Sequence, residues 1–148
     1  MKAGWYEING PAADVIVVGE MADPAPGPGE VLIRIHTSGV NPSDVKRRDG
    51  WGGQVIEYPR VIPHSDGAGI IDAVGAGIEQ ARIGERVWTF NAQWKRAFGT
   101  AAELIALPAT QAITLPDSAN FDFGACFGIP ALAAHRAAFA DGPVAGRT

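Results

Sequence analysis

Glycine and proline set the tightest limit on what this chain can become. The 148 residues include 19 Gly and 11 Pro, roughly one residue in five against a usual ~12%. They punctuate short apolar runs. Each proline fixes φ and withdraws a backbone donor, so long helices are disfavoured over most of the chain. Short strands joined by turns at intervals of roughly ten residues are favoured instead, the pattern of a small barrel or sandwich. Residues 15–18 read as a first strand, and DPAPGPGE at 23–30 as a rigid loop. Residues 31–37 alternate, with Val31, Ile33 and Ile35 on one face and Leu32, Arg34 and His36 on the other, which predicts a half-buried strand. Further strands are expected over 69–74, 86–90 and 101–107, with Pro108 and Pro116 bracketing another.

The pattern changes near residue 120. Residues 121–139 are rich in Ala, and Ile129, Leu132, Arg136 and Phe139 are spaced for a helix that Pro130 starts or kinks. Asn41, followed by Pro42, Ser43 and Asp44, can cap one or two helical turns. The composition, 47% hydrophobic and 19% charged, is that of a soluble globular chain. A net charge of −4 weighs against nucleic acid as a partner. The basic run Lys46, Arg47, Arg48 reads as solvated surface. A single cysteine, Cys126, permits no intrachain disulfide and fits a reducing cytoplasm. No signal peptide and no apolar run long enough for a bilayer is visible, so a cytoplasmic protein with no membrane partner is expected.

Chemistry is sparse when read from spacing alone. His36, His64 and His135 are scattered and form no HxxxH pair. They read as a polar-face strand residue, a turn residue and a helix-surface residue. Cys126 reads as a small buried apolar residue. The Gly-Ala-Gly runs at 67–69 and 75–77 do not continue as a phosphate-binding fingerprint and read as tight turns. Ser43 and Ser65 lie in no GxSxG elbow, and Ser65 beside Asp66 reads as local backbone bonding.

Four motifs in order carry more: PAPGPGEVLIRIHTSGVNPSDVKRRDG at 24–50, IPHSDGAGIIDAVGAGI at 62–78, IGERVW at 83–88 and GIPALAAHRAAFADGPVAGRT at 128–148. Together they resemble the N-terminal half of the medium-chain dehydrogenases/reductases, and within that superfamily the zinc-independent quinone oxidoreductase branch. The resemblance implies a mainly β fold, a GroES-like, partly open β-barrel with short helices at 1–119, followed by one C-terminal helix. On this reading residues 120–148 are the leading helix of a Rossmann cofactor domain that the chain does not reach. The apolar face of that helix would then be left bare, favouring self-association, as a homodimer, or fraying.

The same resemblance assigns a site. Zinc alcohol dehydrogenases of this superfamily carry a cysteine where Asn41 stands and a histidine where Ser65 stands, while His64 replaces a glycine. An amide and a hydroxyl do not match zinc's N and S donors, so no metal is expected. The implied chemistry is hydride transfer from NADPH to a quinone or enone, with the isolated chain itself inactive and binding NADPH weakly. Asn41 and Asp44 are the implied catalytic residues, Asn41 and Lys46 the cofactor contacts, and Trp51, Ser65 and Gln93 the substrate pocket. Asn41 stays open between cleft residue and helix cap. The alternatives are a zinc-type alcohol dehydrogenase domain and a non-catalytic GroES-like barrel used for binding or assembly.

Overall fold

A computed structural model describes residues 1–145. Seven strands and four α-helical segments follow in the order β1 (Lys2–Trp5), α1 (Ala12–Val15), β2 (Val17–Glu20), β3 (Glu30–Gly39), α2 (Pro42–Asp49), β4 (Asp66–Val74), β5 (Arg86–Thr89), β6 (Leu104–Pro108), β7 (Ala112–Thr114), α3 (Phe121–Gly124) and α4 (Leu132–Phe139). β1 and β2 form an antiparallel pair. The other strands make a five-stranded antiparallel sheet in the order β6-β3-β4-β5-β7. The sheet stays open, so the fold is the mainly β, partly open GroES-like barrel expected from the sequence.

The core follows from strand alternation. Val31 and Ile33 of β3, Ile71 of β4, Val87 of β5, and Ile105 and Leu107 of β6 form one buried cluster. Leu32 is buried as well, on the opposite face of β3, so that strand is covered on both sides where a half-buried one was predicted. A smaller cluster of Tyr6, Val15 and Val61 holds the N-terminal segment. Residues 12–15 form a helical turn, and the strand begins two residues later than expected, because the carbonyl of Pro11 accepts the N–H groups of Asp14 and Val15.

The long C-terminal helix is in fact three pieces. α3 ends, a π-helical turn spans Phe127–Ala131 with Gly128 at ψ −113°, and α4 resumes. Pro130 lies in that turn, as its lack of a donor requires. α3 and the π turn pack on β4 and β5, and Phe127 meets Trp88 edge-on at 5.5 Å. α4 extends past this contact with Leu132 49% and Phe139 45% exposed. Cys126 is exposed, not buried, with its Sγ 3.5 Å from the Asp122 carbonyl oxygen. No helix among the described residues is long and apolar enough to cross a membrane.

Glycine decides the pairing of β3 with β4. A Cβ on Gly69 would lie 2.0 Å from the Arg34 carbonyl oxygen, a backbone atom with nowhere to move. The register of that pair shifts twice, between Leu32 and Ile33 and between Ile35 and Thr37, so the strands crowd at Gly69. Gly69→Ala is expected to cost about 3 kcal/mol, the upper end for overpacking, read as a lowered urea midpoint with an unchanged slope.

Candidate functional site

Residues far apart in sequence meet at the start of α2. Asn41 occupies the N-cap with extended φ/ψ of −123° and 157°, and Pro42 follows at the first helical position, where a missing N–H costs nothing. The Asp44 carboxylate closes the turn by accepting the Asn41 backbone N–H at 2.7 Å. The Asn41 side chain turns toward β4, and its Nδ2 donates to Asp66 Oδ2 at 2.9 Å. Ile129, in the π turn, donates its N–H to the same oxygen at 2.8 Å. Asn41, Asp44 and Asp66 are all buried. Asn41 is thus the cap residue, with its amide nitrogen committed to a carboxylate.

Asp66 is the centre of this knot and its least satisfied member. It is fully buried, and its Oδ1 has no hydrogen-bond partner. Burial pushes its pKa up, against the downward pull of the bonds from Asn41 and Ile129. Burial raises Asp44 in the same way. Beside them, Thr100 donates its hydroxyl to the Asp66 carbonyl at 2.6 Å. Ser38 Oγ stands 2.8 Å from that Thr100 hydroxyl and 2.9 Å from His64 Nδ1. His64 holds φ +79°, the left-handed region that a glycine would favour. Its pKa is lowered, chiefly by burial.

These residues do not fit a zinc ion. The Asn41 amide faces Asp66 through its nitrogen, which cannot ligate a cation. Among the described residues no group of three or more His, Cys, Asp or Glu side chains could share a metal.

A cavity of about 450 Å³ opens beside α2. Tyr6, Val55, Ile56 and Val61 supply apolar wall, and Arg47, Glu57, Gln93, Lys95 and Arg96 are among its polar members. Of the residues assigned to the substrate pocket from sequence, Gln93 lines this cavity, while Trp51 and Ser65 do not. Trp51 is exposed, with Lys46 Nζ 4.7 Å from its ring centroid, and Ser65 is buried. Asn41 and Asp44 are not in the cavity wall either. Gln93 joins the two regions, since its neighbour Ala92 donates an N–H to the Ser65 carbonyl at 2.9 Å. The basic run is not plain solvated surface. Arg48 Nε donates to the Gly10 carbonyl at 3.1 Å, and Arg47 Nη1 bonds the Gln93 side-chain oxygen. Both contacts fix α2 against loops more than 35 residues away, at separations of 38 and 46. No local pattern announces such contacts, so sequence reasoning passed over Arg47 and Tyr6.

The alcohol dehydrogenase GroES-like domain model matches residues 27–117. Quinone oxidoreductase of Rattus norvegicus is 35% identical over 139 residues, 90% of this chain and 39% of that protein. The synaptic vesicle membrane protein VAT-1 homolog of Homo sapiens is 31% identical over 118 residues, 80% of this chain and 28% of that protein. Among solved structures, a mycobacterial protein in complex with NADPH superposes with a TM-score of 0.81 at 27% identity, covering 97% of this chain and 42% of that one. The chain therefore spans less than half the length of each of these relatives.

Asp66 gives the cluster a pH signature. A carboxylate whose folded pKa lies above its ordinary 3.8 binds its proton more tightly in the folded state. Its contribution to stability is thus lost as pH rises from 3.8 through the folded value. Asp66→Asn keeps an acceptor toward Asn41 and Ile129 and removes the charge. Urea unfolding across the weakly acidic range should show the parent chain losing stability relative to Asp66→Asn as pH rises.

Proposed function

The chain belongs to the alcohol dehydrogenase GroES-like family and to the quinone oxidoreductase branch of the medium-chain dehydrogenases/reductases, and from that premise we propose that it is the substrate-facing domain of an NADPH-dependent quinone or enone reductase. The observation that carries this reading is the cavity of about 450 Å³, whose wall combines apolar and aromatic side chains with charged and amide groups. That volume and lining suit a planar conjugated carbonyl compound.

When bound, NADPH supplies the hydride. The chain's own residues bind and orient. Lys46 is exposed on α2 and makes no ion pair among the described residues, so it is available to a cofactor phosphate. Asn41 presents a neutral amide whose orientation is fixed by Asp66, and Asp44 holds the turn that carries it. One Nδ2 hydrogen is given to Asp66, and the second is the donor suited to a nicotinamide carboxamide or to a carbonyl oxygen gaining charge. A non-catalytic barrel is the alternative, and it predicts no small-molecule binding at the cavity.

Titrating 9,10-phenanthrenequinone into the chain should shift the backbone amide resonances of Arg47, Val55, Gln93 and Trp94, and leave those of β2 unmoved. An absence of shifts favours the assembly barrel. In the intact protein that carries this domain, Asn41→Ala is expected to lower kcat for NADPH oxidation roughly 10²-fold, with the thermal midpoint checked alongside. The half-exposed Leu132 and Phe139 of α4 are read as a homodimer face. Sedimentation velocity should report a dimer that Leu132→Glu converts to monomer.

A further inference from the structure

The cavity wall itself holds more cations than carboxylates. Arg47, Lys95 and Arg96 line it, against one carboxylate, the exposed Glu57. Arg96 is already engaged, 3.5 Å from Glu30 and 2.6 Å from the Ala106 carbonyl. Arg47 is not. Arg34, Arg48, Arg60, Arg82, Arg86 and Arg96 each form an ion pair with a carboxylate, whereas Arg47 forms none among the described residues. It is half-buried, and its hydrogen bonds run from Nη1 to the Gln93 carbonyl at 3.3 Å and to the Gln93 side-chain oxygen, both neutral acceptors. Asp44, one turn earlier on α2, is occupied by the Asn41 N–H.

A guanidinium partly withdrawn from water, hydrogen-bonded only to neutral groups and with the nearby Asp44 carboxylate tied to the Asn41 N–H, carries a desolvation cost that a bound anion would offset further. Lys95 adds to the imbalance. It holds φ +54°, uncommon for a residue with a Cβ, and it too forms no ion pair among the described residues. On the reading of this cavity as the substrate site, we infer that the substrate is a conjugated carbonyl compound bearing a carboxylate, and that Arg47 pairs with that carboxylate. The planar guanidinium fork matches a carboxylate's two oxygens, and the single charge suits the one half-buried lining guanidinium that has no carboxylate ion pair among the described residues.

Three probes test this: 4-carboxychalcone, its methyl ester, and the saturated 4-carboxydihydrochalcone, titrated into the chain and followed by Trp94 quenching and amide shifts. The acid should bind about tenfold more tightly than the ester, and the advantage should shrink between about 10 mM and about 500 mM NaCl as the charges are screened. Arg47→Gln should remove the advantage and leave ester binding within about twofold. Equal binding of acid and ester to the unaltered chain overturns the inference and leaves the reductase reading standing. That comparison needs no variant, so it decides the matter even where Arg47→Gln does not fold. If the saturated acid binds as tightly as the unsaturated one, Arg47 still pairs with a carboxylate, and the conjugated-carbonyl reading falls.

Discussion

One buried carboxylate holds three separate segments in place. Asp66 opens β4, takes the Asn41 amide from the cap of α2, and takes the Ile129 N–H from the π turn. No local interaction would bring these segments together, since they lie 25 and 63 residues away. Burying such a group is costly unless it is bonded. Only one of its two oxygens is bonded here, and the other is without a partner. The carboxylate therefore specifies geometry more than it adds stability, as buried polar groups do in some other systems.

Much of the sheet could be read from residue order, because strand periodicity and turn chemistry are local. The alternation of β3, the turn at Gly75 and Gly77, and the Asn41-Pro42 start of α2 each depend on a few neighbouring residues. The C-terminal segment shows the opposite case. Its Ala-rich spacing fits a helix from residue 121 to 139, and the spacing is right for both halves. The break between them is fixed by a hydrogen bond to a strand 63 residues earlier. Gly128 and Pro130 were visible markers, but the partner that uses them was not.

The site divides along the same line. Motif order singled out Asn41 and Asp44, since a helix cap is a local signature, whereas Gln93 lies outside the four motifs. Arg47 looked like surface, because a run of three basic residues on a short helix usually faces water. Its setting is made by Gln93, 46 residues later. Polar groups whose partners are distant are the ones that single-sequence reasoning reads least well, and in this domain they are concentrated beside the cavity.

The break at Gly128 reaches back into the strand it touches. A Cβ at position 128 would fall 2.0 Å from Asp66 Oδ1, inside the space the carboxylate already fills. The two positions occupy one shared volume. An evolving lineage could enlarge residue 128 only by shrinking residue 66 in step, so the pair should change together or be retained together.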